Sequence, residues 1–72
     1  MENNEYGAVN RLLTQTEAAG LLGIEPRTLE SWRLKRIGPR FFAYSKRCVR
    51  YRLDDLLEWL SARAVDTQAI AI

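Results

Sequence analysis

The sequence predicts one small, mainly α-helical domain with a single β-hairpin, and three observations lead to this fold class. Helix-start and helix-stop residues frame two short helices within residues 14–36. The stretch FFAYSKRCVRYR, residues 41–52, has two runs rich in aromatic and β-branched residues around a polar Ser-Lys-Arg, which is typical of a hairpin. Leucines then recur at helical spacing through residues 53–64.

The chain of 72 residues has room for one domain. Residues 1–10 show no hydrophobic periodicity and contain several turn-forming residues, so we expect a flexible N-terminal arm. The predicted domain covers residues 11–64. Residues 65–72 form a C-terminal tail that ends in Ile-Ala-Ile, and its role is open.

The first helix is predicted to begin after Thr14, because Thr14 and Glu17 have the spacing of a capping box. Gly23 is expected to end it, since glycine adopts the left-handed conformation of a helix C-terminus without steric cost. Ile24 should then pack back on the helix end. The predicted inward stripe consists of Ala18, Leu21 and Leu22.

A second helix is predicted to begin at Pro26, whose fixed φ suits a first turn, with Glu25 as an unusual N-cap. It should run to Arg36, because Gly38-Pro39 cannot continue it. At 100° per residue the inner face consists of Leu29, Trp32 and Arg36. The outer face consists of Arg27, Thr28, Ser31, Leu34 and Lys35.

The predicted hairpin carries four cations and no acid. Its tip is Ser45, Lys46 and Arg47. In the second strand, Val49 and Tyr51 are expected to pack on one face, while the other face carries Cys48, Arg50 and Arg52. An isolated two-stranded hairpin has only marginal stability in water. The four cations on this hairpin suggest that it binds an anionic partner.

The third helix is predicted over residues 53–64. Asp54 and Asp55 lie in its first turn, where carboxylates interact favourably with the helix dipole. Trp59 lies beside the apolar stripe and is expected to pack at the edge of the core. That stripe consists of Leu53, Leu56, Leu57 and Leu60.

Charge is segregated along the chain, although the formal net charge is only +2. Residues 11–52 contain ten Lys or Arg and three Glu, a balance of +7, whereas the two flanks together contain one Arg and six acids, a balance of −5. A concentrated cationic segment favours a polyanionic partner.

The composition argues against catalysis. There is no histidine, and the lone Cys48 lacks an activating base, so we expect a binding protein without enzymatic activity, cofactor, metal or small-molecule substrate. Cys48 is expected to be a small, partly exposed filler. No apolar run is long enough to span a bilayer and no signal peptide is evident, so a cytoplasmic, nucleoid-associated protein is expected.

Two helices joined by a three-residue turn form a helix-turn-helix unit, whose second helix enters the DNA major groove. The outer face predicted above then contacts DNA, with Arg27 as the best candidate to bind a guanine edge. The predicted DNA-binding residues are Arg27, Thr28, Ser31, Leu34 and Lys35 on the helix, and Ser45, Lys46, Arg47, Arg50 and Arg52 on the hairpin.

The stretch GIEPRTLESW, followed by a basic hairpin and YRLDDLLEWL, resembles the small winged helix-turn-helix domains of phage excisionases and AlpA-type regulators, and more distantly the DNA-binding head of MerR-type regulators. The resemblance covers residues 12–62. It departs from the family pattern at Glu25 and Arg52, where polar N-caps are more usual. It implies a winged helix-turn-helix whose hairpin is a two-stranded wing on the DNA backbone or in the minor groove.

The resemblance also implies a function: a recombination directionality factor that binds and bends DNA near an attachment site and biases a site-specific integrase toward excision. Further copies of the protein on adjacent sites are then expected partners, besides DNA and the integrase. Two alternatives stay open. The first is an AlpA-type transcriptional regulator, and the second is a protein-interaction module that does not bind DNA specifically.

Overall fold

The computed structural model describes residues 11–66 and contains three helices packed against a three-stranded antiparallel sheet, which confirms the predicted fold class. The elements are β1 (Leu12–Leu13), α1 (Gln15–Leu22), α2 (Pro26–Leu34), β2 (Phe42–Ser45), β3 (Cys48–Arg52) and α3 (Leu53–Ser61). The predicted arm and most of the predicted tail lie outside the described residues. Within residues 11–66, no helix has the length and apolar character needed to cross a membrane.

The two ends of α1 are formed as the sequence predicts. The Thr14 amide donates to Glu17 Oε1 at 2.9 Å, and the Glu17 amide donates to Thr14 Oγ1 at 3.1 Å, which completes the capping box. The bond from the Thr14 amide holds the pKa of Glu17 below its usual range. Gly23 has φ +73°, and the Ile24 amide donates to the Ala19 carbonyl at 3.0 Å, as in a Schellman motif.

The inward stripe of α1 differs from the prediction at one position. Ala18 and Ala19 are both buried, and Leu22 packs against the core, whereas Leu21 is 44% exposed. The prediction for Leu21 is therefore wrong. Two adjacent alanines are small enough to let neighbouring elements approach closely, so the buried face is centred toward Ala19 and turns Leu21 to solvent.

Helix α2 begins at Pro26 as predicted, and Glu25 provides no side-chain cap. It ends at Leu34 instead of Arg36, through a second Schellman motif. The Ile37 amide donates to the Trp32 carbonyl at 2.9 Å and the Arg36 amide to the Arg33 carbonyl at 3.1 Å. Arg36 has φ +61° and is exposed, so its predicted place in the core is wrong: the chain has already left the helix there.

Arg36 occupies a position that normally requires glycine. A non-glycine residue in the left-handed region carries a cost of about 1–2 kcal/mol. We expect Arg36→Gly to raise the free energy of unfolding by about 1 kcal/mol in urea titrations monitored by circular dichroism. Arg36→Ala is the matched control, because it removes the same charge and keeps the strain. An equal gain in both variants would attribute the effect to charge instead of backbone conformation.

The hairpin is part of a larger sheet than predicted. Strand β3 is central: it pairs with β2 on one side and with β1 on the other, where Leu13 is opposite Tyr51. The amide of Leu53 extends this pairing by donating to the Arg11 carbonyl at 2.8 Å. The predicted two-stranded wing did not include β1. Pairing of β3 with β1 joins the wing to the rest of the domain, so no bound partner is needed to hold it in place.

Helix α3 is shorter than predicted, ending at Ser61, with Asp54 and Asp55 in its first turn as expected. Leu56 is fully buried and Leu53 packs against the core, but Leu57 is 49% and Leu60 is 44% exposed, which contradicts their predicted inward position. Trp59, half-buried, stacks against Trp32 with ring centroids 5.5 Å apart. Of the predicted stripe, only Leu56 and Leu53 therefore face the core, while Trp59 contacts Trp32 beside it.

The core lies between the three helices and one face of the sheet. Tyr51, Leu29 and Leu56 are its largest fully buried side chains. Val49 and Tyr51 are buried while Cys48, Arg50 and Arg52 are half-buried, so the predicted alternation along β3 is confirmed. The other members of the core are Leu13, Ala18 and Ala19. This core fixes α2 and the hairpin relative to each other.

Candidate nucleic-acid interface

The outer face of α2 carries a shallow depression, here called the outer depression. It is lined by Arg27, Glu30, Ser31, Leu34 and Lys35. Four of these five are predicted DNA-binding residues, and their spacing of three or four residues places them on one side of the helix. Thr28, the remaining predicted residue of this helix, is half-buried and does not line the depression.

Arg27 is exposed near the N-terminal end of α2. Within residues 11–66 its guanidinium makes no hydrogen bond or ion pair, so its donors are available to a partner. A guanidinium can donate two parallel hydrogen bonds to O6 and N7 of guanine. The exposed guanidinium is compatible with the base-reading role predicted for Arg27, which stays a prediction.

The wing, defined as the β2–β3 hairpin, presents its cations at the tip. Lys46 and Arg47 form the turn between the strands and are exposed. The Arg47 amide donates to Ser45 Oγ at 3.3 Å, which links the predicted tip residues in one compact turn. An irregularity in strand pairing between Ala43 and Ser45 precedes the turn. A bulge of this kind increases local twist and changes the direction of the tip.

The wing and α2 border the same concave surfaces. Lys46 lines a cleft together with Arg33 and Leu34 at the end of α2 and with Arg36 just beyond it, and Ser45 lines the same cleft. We call this the hairpin cleft. Because Leu34 lines both the hairpin cleft and the outer depression, the two surfaces adjoin at this residue. The wing tip and the exposed side of α2 thus lie on one flank of the molecule.

A second cleft extends the cationic surface to the beginning of α1. We call it the α1-side cleft. Its walls come from the start of α1, from α2 and from the wing: Thr14, Gln15, Thr16, Glu30, Arg33, Lys46, Arg47, Val49 and Arg50. Four of these are cationic and one is acidic. The N-terminus of α1 adds the positive end of a helix dipole to the same wall.

Two of the predicted wing arginines are engaged within the protein. Arg50 donates from Nη1 to the Val49 carbonyl at 2.8 Å and still lines the α1-side cleft. Arg52 donates from Nη2 to Asp54 Oδ2 at 2.7 Å, and neither residue of this pair lines the clefts beside the wing. The Arg52–Asp54 pair lies at the N-terminus of α3, where Arg52 provides no side-chain cap. The structure therefore groups Arg50, but not Arg52, with the cations of the tip.

Arg33 and Glu30 belong to this surface but were absent from the predicted set. Arg33 donates from Nη1 to Gln15 Oε1 at 2.6 Å, which joins α2 to the first residue of α1, and its guanidinium lies 5.8 Å from the ring centroid of Phe41. Its position four residues after buried Leu29 places Arg33 beside the inner face, where helical periodicity alone does not indicate a ligand-facing role. Glu30 is the acid that lines both the outer depression and the α1-side cleft.

Comparison of the sequence with protein families places the chain in a known group. The family model described as a helix-turn-helix domain matches residues 12–64, which include every described helix and strand. The chain belongs to this helix-turn-helix family. A search of the curated proteins found no match to the chain.

Membership in the helix-turn-helix family supports DNA as the partner of this domain. In a helix-turn-helix unit the second helix lies in the major groove, which is about 12 Å wide and admits one α-helix. Helix α2 occupies that place in the motif, and the outer depression lies on its exposed side. The wing lies on the same flank as this depression.

The wing tip provides a direct test of this arrangement. Replacing Lys46 and Arg47 with alanine should flatten the dependence of log K on log salt concentration by about 0.9 for each phosphate that these side chains neutralise in the wild type. Fluorescence anisotropy over a series of salt concentrations measures this slope. Arg63→Ala is the matched control, since Arg63 is cationic but lies on α3's C-terminal side, 3.9 Å above the Trp59 ring. A slope unchanged in the double variant would remove the wing from the interface.

Proposed function

We propose that this helix-turn-helix protein is an excisionase, a recombination directionality factor that binds and bends DNA near an attachment site and promotes excision by a site-specific integrase. One observation carries the proposal: the exposed side of α2 and the cationic wing tip share a flank, joined through the hairpin cleft. The resemblance of GIEPRTLESW and YRLDDLLEWL to excisionases supports the more specific role.

The arrangement suits DNA that bends. A helix in the major groove and a basic tip at the neighbouring backbone or minor groove contact the duplex at two separate places. Bending brings phosphates closer to Lys46 and Arg47, and its cost is offset by the added interactions. A narrowed minor groove also has a more negative potential, which favours the cationic tip. Local bending is the mechanical contribution that we assign to the protein.

A single domain of this size requires assistance to act specifically. Modules of comparable size bury about 600–1,000 Å² against DNA, which limits the number of bases that they can bind. Further copies on adjacent sites, or the integrase itself, would supply the additional interactions. In this proposal the protein acts in the cytoplasm on nucleoid DNA, by binding and without catalysing a reaction.

The nearest alternative is a transcriptional regulator of the AlpA type, because the same two surfaces serve equally well at a promoter. A protein-interaction module is the alternative of another class. In that case the third helix and the Ile-Ala-Ile tail contact a partner, the basic hairpin serves solubility, and DNA binding is weak and insensitive to sequence. The three functions differ in where, and whether, the protein protects DNA.

Footprinting across the DNA that flanks the protein's own gene distinguishes these functions. We expect protection within an attachment site, with enhanced cleavage at flexed steps beside the protected region. Arg27→Ala is the matched variant, and it should lose the specific footprint while the domain stays folded. Protection confined to a promoter would support the regulator. If the DNA is not protected even at protein concentrations that give a salt-sensitive mobility shift, the interaction module is supported and the proposal is overturned.

A further inference from the structure

Leu34 is the most exposed large apolar side chain of the described domain, and it lies within the DNA-facing surface. Its side chain is 74% exposed. It lines the outer depression with Arg27 and Ser31, and also the hairpin cleft with Lys46. A leucine placed among charged and hydroxyl groups contributes nothing to the core. What distinguishes Leu34 from the other exposed leucines is its place on the outer face of α2, among the predicted DNA-binding residues.

We propose that Leu34 contacts the C5-methyl group of a thymine in the major groove and thereby fixes a T·A base pair at one position of the binding site. The inference rests on the proposed DNA-binding function and deepens it. Among the base edges in the major groove, thymine alone presents a methyl group, while the others present hydrogen-bond donors and acceptors. An apolar side chain at this point can select only that group.

Leu34 lies on the same stripe of α2 as Arg27. Arg27, Ser31 and Leu34 stand at positions i, i+4 and i+7, so they follow one stripe of the helix. Seven residues correspond to about 10 Å along the axis at a rise of about 1.5 Å per residue. That length corresponds to about three base pairs at roughly 3.4 Å each. The selected thymine should lie about three base pairs from the base bound by Arg27.

Leu34 has no polar group with which to bind a phosphate, whereas a cation beside it does. Lys35 lines the same depression, with Glu30 one helical turn before Leu34, so a phosphate at the groove edge can be bound by Lys35 while the apolar side chain is left for the base edges. The cations that favour phosphates, Lys46 and Arg47, lie on the wing side of Leu34. The leucine thus stands between a base-reading stripe and a phosphate-binding edge.

Replacement of thymine by deoxyuridine tests the proposal, because it removes one methyl group and leaves the hydrogen-bonding edge intact. The binding site is first selected from a pool of random duplexes with the full chain. Each thymine of the selected site is then replaced individually by deoxyuridine, and affinities are measured by anisotropy for the wild type and for Leu34→Ala. Leu57→Ala is the matched control, being an exposed leucine on α3.

We expect one thymine whose replacement weakens wild-type binding about fourfold, the change associated with one buried methyl-sized group. Leu34→Ala should bind the thymine and deoxyuridine sites equally, whereas Leu57→Ala should keep the fourfold difference. If Leu34→Ala still discriminates between thymine and deoxyuridine, or if the wild type does so at no thymine, the inference is overturned. DNA binding itself would be unaffected by this result. Failure to enrich any sequence would instead overturn sequence-specific binding itself. Thermal melting of Leu34→Ala close to the wild type establishes that the variant is folded.

Discussion

Trp32→Ala is expected to lower the free energy of unfolding by about 3–5 kcal/mol. Domains of this size have a total free energy of unfolding of only about 5–10 kcal/mol, so the variant should be largely unfolded near physiological temperature. The size of the effect follows from what Trp32 joins. It belongs to α2, packs against the core, and makes a tilted contact with Trp59 of α3, the ring planes being inclined by 45°.

The surroundings of Trp32 leave little room for compensation. A methyl group built on Gly38 would lie 2.9 Å from Trp32 Cε3 and 3.1 Å from its Cβ, so backbone lies directly against the indole. Gly38 also has φ +87°, a conformation that favours glycine. Removing the ring would open a cavity between this turn, α2 and α3. The cavity cost then adds to the transfer free energy of the deleted ring.

Urea unfolding monitored by far-ultraviolet circular dichroism measures this change independently of tryptophan fluorescence. Leu34→Ala is the matched control, because truncation of an exposed side chain should alter stability by no more than about 0.5 kcal/mol. Trp32→Phe should give an intermediate loss, since it keeps an aromatic ring in the site. Equal stability of Trp32→Ala and the wild type would show that the indole does not join the helices.

The elements that depend on local chemistry were predictable from the sequence. The Thr14–Glu17 capping box, the left-handed Gly23 and the start of α2 at Pro26 each depend on residues within one helical turn. The alternation of Val49 and Tyr51 with charged residues likewise needs only the period of a strand. Such features are determined by neighbours in sequence, and the structure confirms them.

The features that were missed depend on tertiary contacts or on backbone strain. Strand β1 has only two residues, too few for a periodic signal, and exists because it pairs with β3. The exposure of Leu57 accompanies the contact between Trp32 and Trp59, a tertiary contact that the leucine pattern does not contain. Arg36 in the left-handed region contradicts local preference, because the Schellman bonds impose that conformation.

The candidate interface could be predicted in part. Helical periodicity placed Arg27, Ser31, Leu34 and Lys35 together, and the structure groups all four in one depression. Charge alone did not distinguish Arg50, which lines a cleft beside the tip, from Arg52, which is paired with Asp54. The roles of these residues in DNA binding stay predictions. Local sequence indicates which side chains share a face, but only the fold shows which charges are already compensated.

Arg27→Ala is expected to weaken binding to the cognate site by about 1–3 kcal/mol and to change binding to random duplex very little. The physical reason is that two parallel hydrogen bonds to guanine are specific, whereas alanine offers none. Arg27 is exposed in the outer depression and makes no bond within the described chain, so its removal should leave the fold intact. The loss therefore reports on recognition instead of folding.

Binding of the wild type and the variant to the selected duplex and to a scrambled duplex, at one salt concentration, gives the two affinity ratios. Lys35→Ala is the matched control, because Lys35 lines the same depression and carries the same charge, but its ammonium lacks the planar geometry of a guanidinium. Lys35→Ala should weaken binding to both duplexes by similar factors. Equal losses for Arg27→Ala on both duplexes would show that Arg27 contacts phosphate and that the base-reading part of the interface lies elsewhere on α2.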